Sequence, residues 1–276
     1  MPLNFSLGGK TYEPVTRTIT AEEIEAYAVA SGDANPRYRI GPDQVASPIF
    51  PVVPGFPLMG AVTLDPELGV DNPLMIVHGE QEIVHHRLVR PGDVLVLTPS
   101  LDSVEDKGKG ATFVAKLSAA TTDGERVNES YATIFVRGAG SGTDRPRSPK
   151  QAAVRSGLVA TLTSHVDVEM PMRYAEASGD HNPIHLDPAV ATMVGLPGVI
   201  NHGLGTLSLV TGGLVDRLAG GDPGRLRRIA VRFTDMVIPG SDLTTSVWES
   251  DSGMLFETVR PDGKIVITGS LDVAPA

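Results

Sequence analysis

The chain has no cysteine. That excludes disulfides, thiolate metal ligation and a cysteine nucleophile, and it fits a reducing compartment. No apolar run approaches the roughly 18 residues of a membrane-spanning helix. The first residues, MPLNFSLGGKTYEP, lack the basic start and apolar core of a secretory signal. A soluble, cytoplasmic protein is the expectation. Basic residues are in deficit, with 23 Lys and Arg against 33 Asp and Glu and a formal net charge of -10. That argues against a nucleic-acid or anionic-membrane binder, and an anionic ligand would need a local basic patch. Aromatic residues make up only 5%, but 41% apolar and 20% charged is an ordinary globular balance. At roughly 100–200 residues per domain, 276 residues imply two domains or one large one.

What the chain does have is a repeat. Residues 27–36 read YAVASGDANP and residues 174–183 read YAEASGDHNP, with eight of ten positions identical at an offset of 174 − 27 = 147. Pro91-Gly92 and Pro239-Gly240 echo each other at 148, each after a strand-like apolar run. Two matches in the same order indicate duplication of a whole unit, with a period far too long for a solenoid. Residues 138–151, GAGSGTDRPRSPKQ, carry no apolar period and read as a linker. The expected units are 1–138 and 152–276, joined through 139–151.

Each unit opens with a short helix. Thr20 and Glu23 form a capping-box pair before AEEIEAYAVA, with Gly32 to close it. The second copy spans about 168–178, with Asp167 as a candidate cap and Pro171 in the first turn. A more apolar helix follows: GLGTLSLVTGGLVDRLA, 203–219, with Leu204, Leu207, Leu214, Val215 and Leu218 at helical spacing. Its glycines make it dependent on burial. The N-terminal counterpart, near FPLMGAVTL, is shorter. Strand-like runs close each unit, at 79–89, 93–104, 111–121 and 126–137, then 226–237, 242–250, 253–260 and 264–273, with Asp123-Gly124 and Asp262-Gly263 as turn signals. Helices followed by an antiparallel meander describe an α+β fold, a helix against a curled sheet.

The densest chemistry lies in SGDHNPIHLDP, Ser178 to Pro188. Asn182 before Pro183 is biased out of the α region, so the chain turns there. The turn can bring Asp180 and His185 to one side, close enough to share a water. An imidazole with a pKa near 6.5 suits proton transfer at neutral pH. A carboxylate beside it can orient water. Downstream, GVINHGLGT leads into the apolar helix, whose N-terminus offers free N–H groups. Gly203 has no side chain to block approach, so its N–H is the candidate oxyanion donor. An SGDxNP segment is equally a helix-ending turn with local Asx bonds. That reading explains the first copy better than it explains the added His185. His202 is a satisfied structural histidine or a pocket wall. His85 and His86 alternate faces on a strand, which argues against a shared metal site. His165 and His78 carry no recognisable motif.

YAEASGDHNPIHLDPAVA followed by HGLGT resembles the hydratase 2 motif of the MaoC-like (R)-specific enoyl-CoA hydratases, with Gly179, Asp180, Asn182, Pro183 and His185 at the family's spacing. With the duplication the resemblance covers nearly the whole chain and implies a double hotdog, two units each with a long helix wrapped by an antiparallel sheet. It implies syn hydration of a trans-2-enoyl-CoA to the (3R)-hydroxyacyl-CoA, or the reverse dehydration, with no metal or redox cofactor. On the matching positions, Asp180 and His185 activate water, Asn182 helps hold the site, and Gly203 receives the thioester oxygen. The first copy departs from the pattern: Tyr38 stands where His185 should, at 185 − 147 = 38, and Ala34 where His181 should. Tyrosine, with a pKa near 10, is a poor base. One active site per chain is expected, with the N-terminal unit housing the acyl chain. The apolar segment 47–60 suits a tail pocket and plain core packing alike. Arg225, Arg227, Arg228 and Arg232 form the main basic run, either a phosphate site for coenzyme A or a charged strand edge. A homodimer is expected. A non-catalytic acyl-thioester-binding subunit and a hotdog thioesterase are the competing readings.

Overall fold

The computed structural model describes residues 2–72, 75–143, 154–251 and 253–275. Helix α1 spans Ala21–Ala30 and starts as its sequence dictates. The Thr20 side chain accepts the Glu23 N–H, and Glu23 Oε1 accepts the Thr20 N–H at 2.7 Å. Its counterpart α3, Met170–Ser178, starts later than expected. Asp167 is not its cap; Glu169 holds that place, and Asp167 Oδ1 accepts the Glu169 N–H at 2.8 Å, one step outside the helix.

The first unit contributes strands β1 (Val15–Thr18), β2 (Ile76–His85), β3 (Val94–Asp106), β4 (Gly110–Thr121) and β5 (Arg126–Arg137), with helix α2 (Val52–Thr63). The second contributes β6 (Leu158–His165), β7 (Leu226–Phe233), β8 (Asp242–Ser250), β9 (Gly253–Val259) and β10 (Ile265–Val273), with α4 (Pro188–Met193) and α5 (Gly203–Ala219). Helix α5 matches the segment expected from its apolar spacing. Strands β1 and β6 escaped the sequence pattern because they lie at the two ends of the sheet, short and largely exposed.

All ten strands form one antiparallel sheet in the order β1-β3-β4-β5-β2-β7-β10-β9-β8-β6. The two five-strand sets join edge to edge at β2–β7, where Ile83 faces Ile229 and both are buried. On the outer face of that seam Arg228 pairs with Glu82 and Arg232 with Glu80. A central helix lies in each half: α5 packs on β6, β7 and β10, and α2 on β3 and β4. A third contact crosses the halves on the helical side, where α1 packs on α3. There the repeat partners Tyr27 and Tyr174 share a hydrogen bond between their hydroxyls at 3.2 Å.

The expected linker lies partly outside the described residues, which resume at 154. Its first part is held: Ala139 is buried and its carbonyl accepts the Leu3 N–H. Among the described residues no helix is long and apolar enough to cross a membrane.

One buried cluster runs from Ile24 and Ile83 in the first half to Leu207, Ile229 and Leu271 in the second. The halves should therefore unfold together. Ile83→Ala is expected to cost about 2–5 kcal/mol, the usual range for emptying a buried aliphatic site. Trp248, the single tryptophan, lies on β8 in the other half. Its fluorescence should report that loss in urea as one transition; an unchanged Trp248 midpoint would show that the halves unfold separately.

Candidate active site

Helix α3 ends at Gly179, whose φ of 78° is a left-handed conformation that glycine adopts without strain. Two consecutive Asx turns follow. Asp180 Oδ1 accepts the Asn182 N–H at 3.2 Å, and Asn182 Oδ1 accepts the Ile184 N–H at 3.3 Å. A 3-10 turn over Pro183–His185 completes the reversal. Asp180 and His185 emerge on the same side. Asn182 is exposed, with its side-chain oxygen committed to the turn, so it shapes the loop.

The loop before α5 lies against this turn. His185 Nδ1 is 2.9 Å from the Ile200 carbonyl, and the Ile200 N–H reaches the Ile184 carbonyl at 3.4 Å. A carbonyl only accepts, so His185 Nδ1 carries the proton and Nε2 keeps its lone pair. Burial lowers the His185 pKa below its usual value, so the ring is neutral at pH 7. His202 stacks on it with ring centroids 3.8 Å apart and also packs on Tyr174. Its Nε2 donates to the Asp180 carbonyl at 2.9 Å. Burial and the neighbouring imidazole push its pKa down to about 3. The positive end of α5, which His202 caps, acts in the same direction. His202 is therefore a neutral wall that ties the motif turn to the α5 N-terminus.

The side-chain donor atoms of Asp180, His185 and His202 lie within 4.8 Å of one another, a spacing compatible with a metal ion. One nitrogen of each histidine is already committed to a backbone carbonyl. The rings are inclined by 32°, and three protein atoms alone fall short of the four of a closed tetrahedral site. The arrangement suits a shared water better than a closed coordination sphere.

Gly203 is the first residue of α5 and is exposed, and the preceding His202 makes no side-chain cap. Its N–H has no intrahelical partner and points out of the helix end. A Cβ here would lie 3.3 Å from the Phe233 ring, so the space over this N–H is narrow. Asp180 is half-buried and Gly203 exposed, so this side of the turn reaches the surface. The hollow of about 540 Å³ between Ser156, Glu249 and Asp272 lies elsewhere.

The first copy folds into the same turn and is sealed. Asp33 Oδ1 accepts the Asn35 N–H, Asn35 Oδ1 accepts the Arg37 N–H, and a 3-10 turn runs over Pro36–Tyr38. Asp33 and Tyr38 are buried, and Asp33 Oδ2 and the Tyr38 hydroxyl have no partner. Helix α5 covers them: Gly212 lies directly over the Asp33 carboxyl. Beyond its end, the Gly221 carbonyl accepts from Asn35 Nδ2, and Asp222 pairs with Arg37. The counterpart of Gly212 at an offset of 148 is Leu64, just past the end of α2. The 17-residue α5 thus closes the first motif, while the 12-residue α2 stops short of closing the second.

Three of the four arginines in the basic run are engaged. Arg228 and Arg232 hold the seam, and Arg225 donates to the Ala219 and Ala274 carbonyls. The strand-edge reading suits these three. His78, which carried no motif, lies on β2 beside Phe233 and within electrostatic reach of Asp180. No local pattern could place it there, because it arrives across the seam from the other half.

Two family models match the chain: the MaoC like domain over residues 149–269 and the FAS1-like dehydratase domain region over 6–130. The chain is 32% identical to the 3-hydroxyacyl-thioester dehydratase Y of Mycobacterium tuberculosis over 270 residues, 90% of this chain and 88% of that protein. It is 27% identical to a probable enoyl-CoA hydratase 2 of Dictyostelium discoideum, over 95% and 92% of the two chains. The crystal structure of a MaoC-like dehydratase from Phytophthora capsici superposes with a TM-score of 0.83 at 26% identity, covering 99% of this chain and 98% of that one. A Mycobacterium tuberculosis protein with a double hotdog fold matches at 0.56 and 14% identity, covering 97% and 96% of the two chains, a likeness of fold alone. The chain belongs to the MaoC-like dehydratase family, with a double hotdog fold, and is a hydro-lyase.

Burial raises the Asp33 pKa to about 6. A carboxyl that binds its proton more tightly folded than unfolded favours the fold in acid. That contribution is complete below the unfolded value near 4 and is lost as pH climbs through about 6. Asp33→Asn should therefore stabilise the protein by about 1–3 kcal/mol at pH 8 and by almost nothing at pH 4. Thermal melts of both proteins across that range check the sign; a pH-independent difference would show that Asp33 does not titrate in the fold.

Proposed function

We propose that the chain hydrates trans-2-enoyl thioesters, with coenzyme A as the carrier, to (3R)-3-hydroxyacyl thioesters, or dehydrates them in reverse. The observation that supports this best is the fixed tautomer of His185: Nδ1–H is bound to Ile200, and Nε2 is left as a lone pair beside Asp180. The names of the relatives point to the same substrate class.

In the hydration direction, the substrate carbonyl oxygen sits on the Gly203 N–H and a water lies between Asp180 and His185. His185 Nε2 takes one proton from the water as its oxygen bonds to C3. The C2–C3 double bond opens towards C2, and the resulting enolate is held by the α5 N-terminus. The protonated His185 Nε2 then passes that proton to C2 from the same side, so both parts of one water add to one face and the base is restored. Asp180 orients the water. No electron count changes, so the step as drawn calls for no redox partner. Asn182 acts through the loop that it closes.

Because α2 is short, Phe56, Leu58 and Met59 are only half-buried and Leu64 is exposed beyond its end. The N-terminal unit, residues 1–138, accommodates the acyl tail, and the C-terminal unit, residues 152–276, carries the chemistry at one site per chain.

Crotonyl-CoA or trans-2-decenoyl-CoA should lose its conjugated absorbance on addition of the protein, and chiral analysis should find the (3R) alcohol. Asp180→Asn and His185→Ala should each lower kcat by roughly 10²–10⁴-fold with the fold intact by circular dichroism. Retained turnover in both variants, or a (3S) product, would refute this reading. The pH profile adds a second check. The base must be neutral, and burial lowers the His185 pKa, so the acid limb of kcat/KM should fall below pH 6.5. An acid limb above 6.5 would contradict the assignment.

A further inference from the structure

Polar groups turned inward on β2 differ in how they are satisfied, and both ring nitrogens of the buried His85 lack a partner. Gln81 on β2 is buried and its Nε2 donates to Ser130 Oγ at 2.8 Å. His78, the preceding inward residue on that strand, is different. It faces Ile134, a buried residue of β5, so it stands on the inner side of the sheet. A register shift between His78 and Glu80 keeps both His78 and Gln81 inward although they are three residues apart. His78 Nε2 is buried with no hydrogen-bond partner. Burial lowers the pKa of the ring, while the Glu80 backbone and the Gln81 side chain act on it in the opposite direction. A neutral imidazole is thus held in place with one nitrogen unsatisfied.

Its position ties that nitrogen to the site. The His78 ring meets Phe233 edge to face, with centroids 5.4 Å apart. Phe233 in turn lines the space over Gly203, where the thioester oxygen sits in the reading above. The Asp180 charge also acts on the His78 ring.

We infer that His78, supplied by the N-terminal half, is a substrate-binding residue of the C-terminal site: its free Nε2 accepts a hydrogen bond from a pantetheine amide N–H of the coenzyme A thioester bound beside Gly203. The inference rests on the hydration reading, because it needs that substrate at that site. It assigns to the first unit a polar contact with the substrate in addition to room for an apolar tail. The two units then act on one molecule from opposite sides of the seam.

A packing role and a binding role predict opposite results for the same substitutions. His78→Phe fills a similar volume and removes an unsatisfied nitrogen, so the protein should melt at the same or a higher temperature. KM for crotonyl-CoA should rise tenfold or more, with kcat within about threefold of the parent. His78→Gln restores a polar atom at similar reach and should recover part of the KM. The inference is overturned if His78→Phe keeps KM within twofold, or if His78→Gln is no better than His78→Phe. Should the Phe variant fail to fold, His78→Leu takes its place with the same two readings. Asp180→Asn run in parallel separates the two claims. If it abolishes turnover while His78→Phe binds normally, only the role of His78 falls. If it leaves turnover intact, the site assignment falls first.

Discussion

A neutral imidazole presents its lone pair at a fixed nitrogen when the other nitrogen is held, and here the Ile200 carbonyl holds His185 Nδ1. That bond does more than choose a tautomer. It joins the motif turn after α3 to the loop that delivers α5. His202 repeats the connection in the opposite direction by donating to the Asp180 carbonyl. Asp180, His185 and the α5 N-terminus, which come from segments some twenty residues apart, are thereby fixed relative to one another by two backbone contacts. Burial and stacking keep both rings neutral, so the crossing carries no like-charge repulsion. Preorganisation of this kind leaves little to rearrange when a substrate arrives.

The duplication shows how one turn can serve two ends. The Asx bonds, the 3-10 turn and the left-handed glycine recur in both copies, so the local geometry of SGDxNP is not itself catalytic. What differs is what lies above each turn. Helix α5 extends across the first motif and buries its aspartate; α2, with Pro57 in its interior, ends before it can do the same to the second. Proline removes a backbone donor and crowds the preceding turn, which limits how long such a helix can run. Asymmetry between the two helices therefore closes one site and opens the other.

Much of this was legible in the residues because the informative patterns are local. The capping box set the start of α1, leucine spacing set α5 from Gly203 to Ala219, and the repeat set the two-unit organisation. The pairing of Asp180 with His185 followed from the turn that Asn182-Pro183 imposes. What escaped was non-local. Strands β1 and β6 carry weak alternation because each has one neighbour and an exposed face. The arginines of β7 left a phosphate site and a charged strand edge both open because their partners, Glu80 and Glu82, lie about 150 residues away in sequence. His78 was invisible for the same reason: its neighbours are set by strand register, which a single chain does not display. Asp167 was misplaced as a cap by a shift of two residues, within the usual uncertainty of a helix end.

Among the buried polar atoms without partners, those near the two motif turns have different consequences. His78 Nε2 and His202 Nδ1 lie around the candidate site, where a ligand or water can reach a free hydrogen-bonding position. Asp33 Oδ2 and the Tyr38 hydroxyl lie in the sealed copy, while Ser208 and Thr211 face inward from α5, the helix that covers it. An unsatisfied buried group costs stability wherever it occurs, on the order of 1–3 kcal/mol. At the candidate site that cost can be relieved by binding, so part of the binding free energy comes from groups left waiting in the free protein. In the sealed copy no substrate can relieve it. The repeat that supplied a second acid without its base has therefore left the fold with a standing penalty at one end and a ligand-ready penalty at the other. A shared ancestry of the two turns explains why both exist on one seam.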